Sequence, residues 1–162
     1  MSVFGFLLIP YMAVYGKRYD IAVQFMPGNT EALQSIMLAA DDKDIAVSCA
    51  DKILQGNRYV ADAYNIKAYA AAMENDIESV IRNQDVALSL EKYDANSYYS
   101  YDLLLEQLAH QCEEAGQYQK AGQIETKRKE RREQLERLRE QTNPIAYRLR
   151  DKPIYVWKGH GK

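Results

Sequence analysis

Hydrophobic positions along the chain recur every three to four residues, which is the spacing of one face of an α-helix. No stretch alternates strictly between apolar and polar residues, as a half-buried strand would. The connections between the periodic stretches are two to five residues long, and such short connections make consecutive helices antiparallel. The pattern predicts an all-α fold with helices at residues 19–26, 31–40, 43–54, 61–74, 77–90, 95–115, 117–141 and 145–150.

Residues that favour turns and caps mark the ends of these predicted helices. Asn75-Asp76 predicts a tight turn, and Gly116 is expected to end the helix at 95–115. Asn96 or Ser97 is expected to cap the start of that helix. Pro144 ends the long charged helix at 117–141, because the residue before a proline avoids the helical region.

The helices form pairs that repeat along the chain. Tyr64 and Tyr98 are 34 residues apart, and so are Ile53 and Ala87. A period near 34 residues is typical of stacked helical hairpins. The repeat therefore favours an array of pairs over a closed bundle.

These positions resemble the tetratricopeptide repeat over roughly residues 20–125. One copy is matched by Tyr64, Ala68, Asn75, Ile77 and Ala87. Gly116, Tyr118 and Ala121 match a second copy, while Lys67 stands where the family usually has leucine and Val80 where it usually has alanine. The resemblance implies an α-solenoid of about three hairpins within residues 17–150, ending in the long charged helix. It also implies a module that binds a protein or peptide.

In this family the first helices of the pairs line a concave groove. The matching positions here are Asn65, Tyr69, Tyr99, Leu103 and Glu106. An amide can hold a backbone group of a peptide, and an aromatic ring can cover a side chain. The resemblance thus makes these residues a candidate groove, with surface or packing roles for the tyrosines as the alternative.

A narrower resemblance gives a possible context. The stretch from DAYNIKAY (62–69) to TNPIAYRLRDKP (142–153) is similar to the C-terminal soluble region of O-antigen ligase or polymerase-like membrane proteins of Gram-positive bacteria. This implies a non-catalytic appendage to a membrane-embedded enzyme of surface polysaccharides. The alternatives are a free-standing soluble adaptor with a peptide in its groove and a structural module for self-association.

The N-terminal segment 1–16 leaves three interpretations open. Residues 3–15 carry no charge and are followed by Lys17 and Arg18. This run is too short to cross a hydrocarbon core of about 30 Å. It can be a buried capping helix, the end of a longer membrane span or an interfacial anchor. The chain is expected to be membrane-associated in the second case and cytoplasmic otherwise.

The charge pattern adds one candidate site. Net charge is −2, so no global field argues for nucleic acid. A basic cluster in the last helix is interleaved with glutamates and consists of Lys127, Arg128, Lys129, Arg131 and Arg132. It predicts a solvated helix with intrahelical ion pairs or a dock for anionic headgroups or an acidic partner. Nucleic acid is not expected, because no aromatic residues are interleaved with the cluster.

The sequence offers no catalytic centre. Of the two histidines, His110 lies in the middle of a predicted helix and His160 lies in a Gly-His-Gly tail, and no phosphate loop or zinc motif is present. Cys49 and Cys112 suggest buried thiols rather than a disulfide framework. We therefore expect no enzyme activity, no cofactor and no metal site, with residues 151–162 as an extended tail. The oligomeric state stays open.

Overall fold

The computed structural model describes the backbone of residues 30–141 and the side chains of residues 30–140. Within this range the chain forms helices and no strands, so the all-α prediction is confirmed. The helices are α1 Thr30–Ala39, α2 Lys43–Gly56, α3 Ala61–Met73, α4 Ile77–Leu90, α5 Ala95–Glu114 and α6 Tyr118–Gln141. Each lies within two residues of its predicted bounds. The segment 1–16, the predicted helices at 19–26 and 145–150, and the tail 151–162 lie outside the described residues.

Aspartates begin three of the helices. The Asp42 carboxylate accepts the backbone N–H groups of Asp44 and Ile45, and that of Asp76 accepts the N–H of Ser79. These bonds satisfy amide donors that have no partner within the first turn of a helix. The pKa of Asp76 is lowered by its hydrogen bonds with Ser79.

The predicted cap of α5 is wrong by two to three residues. The capping side chain is Asp94, which accepts the N–H of Asn96 at 3.1 Å. Asn96 and Ser97 already belong to the first turn, and the Ser97 hydroxyl donates to Glu91 at 2.9 Å. Aspartate, asparagine and serine can all cap the start of a helix, and here Asp94 is the residue that does so.

The described helices pack as three antiparallel pairs. α1 packs on α2, α3 on α4, and α5 on α6, while α2 also packs on α3. The first helices touch in order, because α1 contacts α3 and α3 contacts α5. The turns within the last two pairs use left-handed residues, Asn75 with φ 56° and Gly116 with φ 71°.

α3 is the helix that joins the two parts of the core. Ala63 and Ile66 belong to a cluster with α1 and α2, whereas Ala68 and Ala71 belong to a cluster with α4, α5 and α6. A helix with large side chains on both sides could not approach two neighbours so closely. The alanine-rich sequence of α3 therefore follows from its burial between two layers.

Candidate protein-binding face

Three predicted groove residues form a stripe along α5. Tyr99, Leu103 and Glu106 follow one another at four and three residues, so they share one face of the helix. Tyr99 is 46% and Leu103 38% exposed, which is high for large apolar side chains within a helix. The structure thus brings together an aromatic ring, an aliphatic group and a carboxylate at the surface of α5.

The other two predicted groove residues lie on the neighbouring helix α3. Asn65 and Tyr69 are both half-buried, and Tyr69 packs against the core cluster that α3 shares with α5. Met73 follows Tyr69 by one turn and is 53% exposed. Since α3 contacts α5, the five predicted residues occupy two adjacent helices, with Tyr69 also serving the packing between them.

Two arginines of α6 reach the stripe on α5. Arg139 donates a hydrogen bond to the Tyr99 hydroxyl, and its guanidinium lies 5.7 Å from the centre of the Tyr99 ring. Arg128 donates to the Glu106 carboxylate at 2.9 Å. The Tyr99 ring therefore already contacts a cation, an arrangement that its electron-rich face favours.

The basic cluster of α6 is used mainly within the fold. The Asp85 carboxylate of α4 forms ion pairs with Lys127 at 3.0 Å and with Arg131 at 2.6 Å. The Asp102 carboxylate of α5 forms ion pairs with Arg128 at 3.1 Å and with Arg132 at 2.7 Å. These pairs fix α6 to two helices at once.

Arg128 is the buried centre of this ion-pair network. It is 6% exposed and bonds to Asp102, Glu106 and Glu125, so its charge is satisfied by carboxylates on two helices. Desolvation raises the pKa of Asp102, but hydrogen bonds from Arg132 and Arg128 outweigh it and hold that pKa below its ordinary value. Lys129, in contrast, is exposed and forms no ion pair with the described residues. Four of the five predicted docking residues are thus engaged by intramolecular acids.

A cleft of about 600 Å³, which the sequence did not predict, lies between α2 and α4. α3 forms its floor, and its lining includes Val47, Leu54, Tyr64, Lys67, Arg82 and Val86. Lys67 stands where the tetratricopeptide repeat, which the sequence resembles, usually has leucine, and it binds the Asp51 carboxylate of α2. This departure from the tetratricopeptide pattern was the one signal in the sequence that a charged side chain of α3 lines the cleft.

The remaining candidates for chemistry are one histidine and two cysteines. His110 is exposed on α5, with Nδ1 3.6 Å from the Glu114 carboxylate, and no group of metal-binding side chains occurs within residues 30–140. Cys49 and Cys112 are buried free thiols, and burial raises the pKa of Cys49 to about 11. A thiol with such a pKa is a poor nucleophile near neutral pH.

Comparison with known proteins gives no match. No family model matches the chain, and neither the curated proteins nor the solved structures contain a significant match. The tetratricopeptide and O-antigen ligase resemblances therefore stay predictions from the sequence. Within the part of the chain described, no helix is both long and apolar enough to cross a bilayer.

Proposed function

We propose that this chain is a helical-repeat module of the tetratricopeptide type that binds another polypeptide on the face formed by α1, α3 and α5. The observation that carries this proposal is the placement of exposed apolar side chains. Leu38, Met73, Tyr99 and Leu103 all stand on these first helices and are 36–53% exposed. On α5, Tyr99 and Leu103 lie one turn apart, and exposed apolar side chains that share one face commonly mark an interaction surface.

The packing of the pairs supports a curved array. The first helices touch one another in order, whereas an open cleft lies between the second helices α2 and α4. This splay favours a curve between the first two pairs toward their first helices, whereas α4 and α6 of the last two pairs are joined through Asp85, Lys127 and Arg131. The binding face would then be the concave side of a short solenoid.

The proposed setting is the soluble appendage of a membrane-embedded ligase or polymerase of surface polysaccharides. This part rests on the sequence resemblance and on the apolar run at residues 3–15. Fractionation of the native cells with an antibody to this domain tests it. A band much larger than 18.6 kDa in the membrane fraction is expected, whereas a soluble band of that mass would contradict the setting.

Binding to the face is tested by co-purification from native cells with the full chain as bait. The variant Met73→Ser/Leu103→Ser should lose partner polypeptides, because it removes two exposed apolar groups from the face. The control Tyr59→Ser/Tyr118→Ser changes two residues outside the face that are 82% and 73% exposed. This control should still recover the partner polypeptides. Equal recovery with both variants, at matched melting temperatures, would contradict the proposal.

A further inference from the structure

The charges on the first helices are strongly one-sided. α1, α3 and α5 together carry six acidic residues and a single basic one, Lys67. Lys67 lines the cleft between α2 and α4, where it pairs with Asp51, so it lies apart from the Tyr99 stripe. The acidic residues are Glu31, Asp62, Asp102, Glu106, Glu113 and Glu114. Lysines and arginines of the other helices are concentrated on α6.

The acidic and apolar side chains form a continuous stripe on α5. Tyr99, Leu103, Glu106, His110 and Glu113 follow at intervals of three to four residues, which keeps them on one face. The apolar half comes first and the acidic half second. With a rise of 1.5 Å per residue, Leu103 and Glu113 are separated by roughly 15 Å along the helix.

Two arginines of α6 already bind side chains of this stripe. The Arg139 guanidinium lies over the Tyr99 ring and donates to its hydroxyl, while Glu106 receives Arg128. Cations thus find partners at both kinds of position, the ring and the carboxylate. Glu113 and Glu114 extend the same stripe beyond the reach of these arginines, and both are exposed.

We infer that the partner of this face is a basic amphipathic polypeptide segment. The inference rests on the proposed function and deepens it. The segment places an aliphatic or aromatic side chain against Leu103 and Met73, and lysine or arginine side chains about 15 Å further along, against Glu113 and Glu114. Asp102 and Glu106 are paired with arginines of α6, so an acidic segment would meet like charge chiefly at the exposed Glu113 and Glu114.

Two synthetic peptides of about 15 residues test the inference on the full chain. They share the same leucine and tyrosine positions, and one carries lysine and arginine where its twin carries glutamate. Fluorescence anisotropy should give about tenfold tighter binding for the basic peptide, with the difference shrinking as salt is raised. Equal or tighter binding of the acidic peptide, or no binding of either, would overturn the inference.

Charge variants test whether the preference for the basic peptide arises at the acidic end of the α5 stripe. Glu113→Lys/Glu114→Lys should weaken the basic peptide about tenfold. The control Glu133→Lys/Glu140→Lys makes the same charge change at exposed positions of α6 and should leave the affinity within about twofold. An equal loss with both pairs would mean that only the overall charge matters, which overturns a site on α5.

The two proposals can fail separately. If co-purification depends on Leu103 but the peptides bind without preference for charge, protein binding stands and the basic partner is wrong. If co-purification does not depend on Leu103, the binding face itself is wrong. Photocrosslinking from Leu103 to this chain's own residues 145–150, which include Tyr147 and Arg148, would overturn a foreign partner and assign the face to the chain itself.

Discussion

At the residue scale, the buried polar side chain of Gln84 has incomplete hydrogen bonding. Gln84 on α4 is 1% exposed, and its Nε2 finds no hydrogen-bond partner within the described part of the chain. An unsatisfied buried donor costs free energy that a similarly shaped apolar side chain avoids. Its neighbours in the sequence, Asn83 and Asp85, are half-buried and hydrogen-bonded.

Gln84→Met should therefore raise the free energy of unfolding by about 1 kcal/mol, because methionine fills a similar volume without an unmet donor. Urea denaturation followed by circular dichroism measures the change. Gln107→Met, at an exposed position of α5, serves as the control and should change stability by less than about 0.5 kcal/mol. A loss of stability in Gln84→Met would indicate that the amide makes a bond essential to the core.

Asp102 of α5 forms ion pairs with two arginines of α6, Arg128 and Arg132. Asp102→Asn should destabilise the fold by about 2 kcal/mol, because the buried Arg128 loses one of its three carboxylate partners and Arg132 loses its partner on α5. The folded state lowers the pKa of Asp102, so its contribution is present above the unfolded pKa of about 4. The contribution is lost as pH falls through the lower folded value.

Denaturation series at several pH values measure the difference in the free energy of unfolding between wild type and Asp102→Asn. The gap should be constant near neutral pH and close on acidification below about pH 4. Glu106→Gln is the control, since its side chain is 57% exposed and should contribute under about 1 kcal/mol. A gap that widens on acidification would contradict the ion-pair account.

At the scale of elements, the helices could be predicted because their ends carry local signals. Asp42, Asp76 and Gly116 lie next to the turns that they help to form, so sequence spacing is enough to find them. The role of α6 was not accessible in this way. Its cation Arg131 pairs with Asp85, 46 residues earlier, and only the folded arrangement of α4 and α6 brings the two together.

Two glycines of the last pair give a matched test of the helix bounds. Gly116→Ala should destabilise by about 1 kcal/mol, because Gly116 has φ 71° and ends α5 in the left-handed region. Gly122→Ala should stabilise by about 0.5–1 kcal/mol, because Gly122 lies within α6 and its added Cβ meets open space. Thermal unfolding of both variants measures the two changes in stability. Changes of the same sign would contradict these helix bounds.

At the scale of the whole molecule, the candidate face could be predicted only in part. The family pattern named Tyr99 and Leu103, and both are exposed side by side on α5. It could not foresee that Arg139 covers Tyr99 or that a cleft opens between α2 and α4. The contact of Arg139 with Tyr99 joins residues 40 positions apart, and the cleft depends on how the helix pairs are spaced. Neither feature can be predicted from a local sequence pattern.

A crosslinking scan of both sides of the array is the most direct test of the central claim. A photoreactive amino acid is placed in the full chain, in native cells, at Leu38, Met73 or Leu103 on the first helices. Matched exposed positions on the second helices are Ser48, Ser89 and Gln123. The account predicts that the first-helix positions share one polypeptide adduct and that the second-helix positions lack it. The same adduct from α2, α4 or α6, with none from α1, α3 or α5, would contradict the account.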